Sequence, residues 1–309
     1  EPVPHKGGPY SSWPRLLRNG LLTIVLLLIV GWALLPALRA VTLVANSSRR
    51  VAPMAPRDLP VHEVHFDAID GAHLAGWLVI ASPQKPTIIL VHGFKGSRVE
   101  MLPWARFLYH GGYNVLLYDS RGCGESEGWG SALGAREPND VLGAVRYLKQ
   151  RSDLSNKQFG ALGISLGAGI VLLAAAREPA LKATVADSAW VDESAQIKRM
   201  NNISGLPVLP YEPALVDALI GAHLADAQPL AVIGQIAPRA VMLIHSADDA
   251  NTTTPLSGEQ QLYQAAKAPK EQWIAPSGGH TGAIVAHQAE YERRVLAFFA
   301  SHLAMPVIQ

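Results

Sequence analysis

Gly163-Ile164-Ser165-Leu166-Gly167 sets a serine between two glycines, after the apolar run Phe159–Ile164 and before the helix-forming run Leu166–Ala176. At a strand-to-helix elbow of this kind the hydroxyl is lifted clear of the sheet edge, and small neighbours let the backbone turn that sharply. The helix that follows directs its free N–H groups at the same point. The chemistry this suits is attack on an acyl carbon, with Ser165 as nucleophile. A glycine-rich helix start with Ser165 as its N-cap is the competing reading of the same residues. A serine hydroxyl needs a base, and His280 lies in the tight loop PSGGHT (276–281) after the strand-like run Lys270–Ala275. His245, His287 and His302 compete less well, because they fall inside a strand or a helix. The base in turn needs a carboxylate to hold its tautomer. Ser246-Ala247-Asp248-Asp249 ends another apolar strand, so Asp249 is the first candidate, Asp248 the second, and Asp187, at the end of an earlier strand, the third.

An acyl-transfer site also needs two backbone donors aimed at the developing oxyanion. Leu166, directly after the serine, offers one; the loop His92-Gly93-Phe94, after the apolar run Pro86–His92, offers the other through Phe94 or its neighbour Lys95. Other chemistries lack their residues. No HExxH or P-loop pattern occurs, and Gly122-Cys123-Gly124 lacks the third glycine and the helix of a dinucleotide fingerprint. Cys123 is the sole cysteine, which excludes an internal disulfide and any multi-cysteine metal site. No metal or organic cofactor is expected.

The elements that would position these residues alternate. Val61–Phe66 and His73–Ile80 read as a hairpin across Asp70-Gly71. Pro86–His92 and Tyr113–Asp119 read as buried strands, and Gln158–Ile164, Lys182–Asp187, Arg239–Ser246 and Lys270–Ala275 as further strands, with helical patterns between them. Such alternation predicts an α/β fold: a mostly parallel, doubly wound sheet under right-handed crossovers, opened by an antiparallel hairpin. Trp190 to about Pro238 breaks the rhythm with prolines, glycines and short helical patches, which reads as a small cap over the site.

Composition adds a location. Hydrophobic residues make up 49% of the 309 and charged residues 17%, with a formal net charge of +1. That balance argues against a nucleic-acid partner, which calls for a basic surplus, and against disorder. Much of the apolar surplus lies in Leu21–Leu38, which carries no charge and as a helix would span ~27 Å, close to the hydrocarbon thickness of a bilayer. Arg15, Arg18 and Arg39 flank it. A cleaved signal peptide normally has a shorter apolar run and a small-x-small site, whereas Leu43-Val44-Ala45 carries a large residue. The expected organisation is therefore an N-terminal tail (1–19), a single transmembrane anchor (20–45), a proline-rich linker (46–60) and a catalytic domain (61–309) with the cap at about 190–238.

The ordered set HGFKGSR (92–98), YDSRGCGESEG (118–128), GISLGAG (163–169), IHSADD (244–249) and GGH (278–280) resembles the α/β-hydrolase superfamily. The likeness is strongest to bacterial membrane-anchored serine hydrolases, lysophospholipase-like or related to prolyl-oligopeptidase-type catalytic domains, and covers about residues 61–305. The resemblance implies Ser165 as nucleophile, Asp249 as acid, His280 as base, and the Phe94 and Leu166 amides as oxyanion hole. It implies hydrolysis of carboxylic esters or thioesters, with a small-molecule or lipid acyl substrate. The alternatives are a peptidase of the prolyl-oligopeptidase type and a non-catalytic membrane-tethered binding module. The chain departs from the pattern in two places: relatives often carry His where Cys123 stands and Gly where Ser246 stands. The stretch Asp249–Pro255 is also longer than usual before its proline.

Overall fold

The computed structural model describes residues 13–45, 54–192 and 211–303. Its centre is an eight-stranded sheet: β1 Val61–Asp67, β2 His73–Val79, β3 Thr87–Val91, β4 Asn114–Tyr118, β5 Phe159–Ile164, β6 Leu181–Asp187, β7 Ala240–Ser246 and β8 Lys270–Ala275. The spatial order is β1-β2-β4-β3-β5-β6-β7-β8; β2 pairs antiparallel with both β1 and β4, and β3 to β8 are parallel. This is the expected architecture. Side chains on β3, β4, β5 and β7 are buried along their whole length, which explains why these strands read as unbroken apolar runs.

The helices are α1 Trp13–Val44, α2 Leu102–His110, α3 Pro138–Gln150, α4 Leu166–Arg177, α5 Glu212–Ile220, α6 Pro229–Val232, α7 Leu256–Ala265, α8 Ala283–Ala286 and α9 Gln288–His302. One layer of the core joins α3, α4 and α7 to the sheet, with Val141, Ile170 and Leu262 at its centre. The opposite layer joins α2 and α9, with Trp104, Tyr291 and Phe299. Both faces of the sheet are thus covered, as a parallel sheet requires. The pattern Gly282–His302 reads as one helix, yet the chain breaks at His287 (φ −134°, ψ 45°), giving α8 and α9.

Within the cap interval, residues 193–210 lie outside the described residues. The described remainder, from Tyr211, consists of α5, α6 and 3-10 turns and contains no strand. Of the linker, residues 46–53 also lie outside the described residues.

The charges of the loop after β4 pair with residues distant in sequence. Asp119 accepts from the Arg98 amide at 2.7 Å and faces its guanidinium at 3.4 Å. Arg121 instead lies between Asp140 on α3 and Asp70 in the β1–β2 turn, at 2.5 and 2.7 Å.

Candidate active site

The elbow begins with the glycines. A Cβ at Gly163 would stand 2.1 Å from the Gly167 carbonyl oxygen, and one at Gly167 would stand 2.3 Å from the Val91 carbonyl oxygen. Backbone cannot yield to such contacts, so both positions demand glycine. Between them Ser165 has φ +52° and ψ −118°, a sparsely populated conformation for a residue with a side chain. Its N–H donates to the Asp187 carbonyl at 2.8 Å, which ties the elbow to the end of β6.

The structure brings Ser165, His280 and Asp249 together from three loops at the carboxyl edge of the sheet. His280 Nε2 lies 2.8 Å from Ser165 Oγ, and His280 Nδ1 lies 2.9 Å from Asp249 Oδ2. With the proton on Nδ1, the imidazole donates to the carboxylate and accepts from the serine hydroxyl. The Asp249 side chain is fully buried, while that of His280 is 27% exposed towards the cavity. Asp249 Oδ1 accepts from the Asn251 amide at 2.8 Å, which uses the turn after β7 to fix the carboxylate. Thr254 Oγ1 stands 3.2 Å from His280 Nδ1.

Asp248 and Asp187, the other two candidate acids, have different partners. Asp248 is exposed, and its carboxylate accepts from the Gly279 and Gly278 amides at 2.9 and 3.3 Å. These bonds hold its carboxyl below the usual carboxylate range and staple the histidine loop to the acid loop. Asp187 is buried behind the site, where it accepts from Tyr291 Oη and Ser188 Oγ, both at 2.9 Å. Burial pushes its carboxyl up to about 6, against those two hydrogen bonds. Trp104 Nε1 donates to the same Tyr291 hydroxyl, so α2, α9 and β6 are locked together beneath the histidine loop. Ser188, at φ +59°, also receives the Thr281 amide at 3.3 Å.

His245 is the remaining histidine near the acid. It is buried, with Nε2 at 3.4 Å from Asp249 Oδ2, and burial lowers its pKa. It faces the acid from inside β7. His287 pairs with Ser277 Oγ at 3.1 Å, and His302 lies 4.0 Å from Glu271.

A cavity of about 310 Å³ opens over Ser165. Phe94 and Leu166, the expected oxyanion donors, line it beside Gly93, and a Cβ added at Gly93 would be 3.5 Å from that of Ser165. The Gly93 amide itself is taken by Glu100 Oε2 at 3.0 Å, leaving the next amide, that of Phe94, as the loop's candidate donor. Leu133 and Trp190 add apolar wall, Thr253 and Thr254 hydroxyls, and Glu100 a carboxylate. Leu43, from the end of α1, also lines the cavity. Sequence reasoning missed Leu43, since no local signal marks a residue on an apolar helix as facing a serine so far along the chain. The roles of Asp248 and Thr254 were half legible, because both flank the acid. Among the described residues no group of three or more His, Cys, Asp or Glu side chains is arranged to hold a metal.

Fold and site define a class. Residues 81–211 match the X-Pro dipeptidyl-peptidase (S15) family. The esterase Pf2001 of Pyrococcus furiosus superposes with a TM-score of 0.68 at 25% identity, covering 83% of this chain and 99% of that one. The α/β hydrolase GrgF from a Penicillium species superposes with a TM-score of 0.64 at 25% identity, over 79% of this chain and 99% of that one. In sequence, the chain is 28% identical over 260 residues to YfhR of Salmonella typhi, a protein without assigned function, covering 79% of this chain and 82% of that one. The chain is a member of the α/β-hydrolase superfamily.

Proposed function

We propose that the protein is a serine hydrolase that cleaves carboxylic ester or thioester bonds, acting on lipid or lipid-modified acyl substrates at the membrane that holds α1. The observation that carries this reading is the relay Ser165 Oγ–His280–Asp249 at the floor of a cavity, with distances of 2.8 and 2.9 Å. In the first half-reaction Ser165 Oγ attacks the acyl carbon as its proton passes to His280 Nε2. The Asp249 carboxylate stabilises the imidazolium and holds its orientation without taking the proton. The oxyanion rests on the Phe94 and Leu166 amides, and the leaving oxygen or sulfur departs with the proton from His280. In the second half, water gives a proton to His280 and attacks the acyl-Ser165 ester; the carboxylic acid leaves and Ser165 recovers its proton.

The similarities support hydrolysis and narrow the bond. The superposed relative from Pyrococcus is an esterase, and a relative in Aspergillus aculeatus, 29% identical over 150 residues, is a thiohydrolase. The match to an X-Pro dipeptidyl-peptidase family favours the peptidase alternative in one respect, since amides yield to the same relay. Among the described residues that line the cavity, Glu100 supplies the one carboxylate and no Lys or Arg is present, which disfavours anionic acyl groups.

Replacing Ser165 with Ala and measuring hydrolysis of p-nitrophenyl esters from C2 to C12, alongside aminoacyl-proline amides, tests the reading. The expected result is ester turnover by the wild type, a loss of at least about 10⁴-fold in the variant, and little amide cleavage. Amide cleavage exceeding ester cleavage would favour the peptidase, and the absence of either, the binding module.

A further inference from the structure

Helix α1 is long and apolar enough to cross a membrane over Arg15–Val44, and most of it is exposed among the described residues. Leu16, Leu21, Ile24, Leu28, Ile29 and Leu34 are all more than half exposed. From Pro36 onwards this changes. Pro36, Ala40 and Val44, spaced four apart, are buried as one stripe of the helix, with Leu35, Arg39 and Leu43 half-buried beside them. Residues at i, i+4 and i+8 share a helix face, so the last turns of α1 have a docking side. They pack against α5 and the loop before α3, through Val216, Ile220, Ala132 and Leu133.

The end of a helix leaves carbonyl groups without partners inside the helix, and here the globular domain supplies those partners. Lys95, beside the candidate oxyanion residue Phe94, donates its Nζ to the Thr42 carbonyl at 2.7 Å. The Ser131 amide donates to the Val44 carbonyl at 3.0 Å, and Ala45 forms a β-bridge with Gly130. Arg39 faces the buried carboxylate of Glu212, on α5, at 3.7 Å. At the other side of the junction the Tyr211 hydroxyl donates to the Ala33 carbonyl, inside the apolar run. The domain therefore overlaps the span along its axis: Ala33 is ~15 Å of helical rise from Leu43, and Leu38, the last residue of the apolar run, is ~7.5 Å from it.

Resting on the hydrolase reading above, we propose that the docked end of α1 is part of the substrate site: Leu43 walls the acyl pocket, and the pocket takes the acyl chain of a neutral lipid ester from the bilayer that α1 spans. The cavity joins Leu43 to Leu133, Trp190, Leu166 and Phe94, an apolar surface that leads to Ser165. The Phe94 side chain is 41% exposed at its rim, with the Lys95 ammonium 5.0 Å from its ring. An aromatic side chain beside a cation suits the level of lipid headgroups. An acyl chain entering there leaves one hydrocarbon environment for another, so its transfer carries little desolvation cost, and α1 holds the entrance at that depth.

The test uses the full chain reconstituted in phosphatidylcholine vesicles, with p-nitrophenyl esters of C2 and C12. Leu43→Trp fills the wall, and the expected result is a C12-to-C2 turnover ratio at least tenfold below that of the wild type. Leu43→Ala is expected to shift the preference towards longer chains. Gly130→Ala places a Cβ 2.2 Å from the Val44 carbonyl oxygen and so undocks the helix end; it is expected to reduce C12 turnover while C2 turnover survives. The wild type should also cleave a C12 ester incorporated in its own vesicles at least tenfold faster than the same ester in added protein-free vesicles. An unchanged C12-to-C2 ratio in both Leu43 variants, or equal rates in the two vesicle arrangements, overturns the proposal while leaving the hydrolase reading intact. Retention of C2 turnover by Ser165→Ala in the same vesicles overturns the hydrolase reading instead.

Discussion

Two adjacent aspartates with opposite exposures separate the supporting parts of this site. Asp249 is buried against His280, so Asp249→Asn should leave the fold intact and lower kcat for p-nitrophenyl acetate by about 10⁴-fold, through loss of the correct tautomer. Asp248→Asn weakens only the bonds to the Gly278 and Gly279 amides. Its effect should stay within about tenfold, the size of one charge-assisted hydrogen bond made ordinary; equal losses in the two variants would contradict the assignment of the acid. Asp187 gives a pH-dependent signature. Its carboxyl is raised to about 6 by burial, from an ordinary value of about 3.9. The folded state thus holds this proton more tightly than the unfolded chain. The group's full contribution to stability is present below about pH 4 and is lost as pH rises to about 6, on the order of 3 kcal/mol. Asp187→Asn removes that titration, so thermal unfolding should show the variant gaining on the wild type between pH 4 and pH 7. A difference that does not change with pH would contradict the raised value.

At the scale of elements, the elbow is the joint on which the site depends. Gly167→Ala puts a methyl against the Val91 and His92 carbonyl oxygens at 2.3 and 2.5 Å. Overpacking of that kind costs about 1–3 kcal/mol or more, and urea unfolding should report it together with lost activity. An unfolding midpoint equal to that of the wild type would contradict the close approach of α4 to β3. Much of this level was legible in the residues. β5 and α4 fall on the runs Phe159–Ile164 and Leu166–Ala176, because a buried parallel strand and the elbow leave continuous apolar signals with glycine punctuation. Ser165, His280 and Asp249 were legible for a related reason: each sits in a short loop straight after a strand, and a parallel sheet delivers all such loops to one edge. What remained hidden depends on packing between distant segments. Arg121 chose Asp70 and Asp140 over its neighbour Asp119, and the break at His287 lies within a pattern that is helical on both sides. The choice between Asp248 and Asp249 turned on which way two neighbouring side chains point, which no spacing encodes.

Over the whole molecule, the apolar excess divides between the sheet with its covering helices and a helix that is exposed for most of its length and docked at its end. A helix of 32 residues, with leucines exposed through its first two thirds among the described residues, is long and apolar enough to cross a membrane. The protein should accordingly stay with membranes through alkaline carbonate and be released by detergent; release by carbonate alone would contradict the anchor. Its docked end should matter to the fold as well. Val44→Asp buries an unpaired charge among Ala132, Leu133 and Val216, and should lower the melting temperature of the detergent-solubilised protein by several degrees. The central claim, that Ser165 is a nucleophile activated by His280 and Asp249, is tested most directly by treating the full-length protein with a fluorophosphonate probe and locating the adduct by peptide mass spectrometry. The account predicts one adduct, on the peptide containing Ser165, absent in Ser165→Ala and strongly slowed in His280→Ala. Undiminished labelling of Ser165→Ala, or an adduct on another residue, would contradict it.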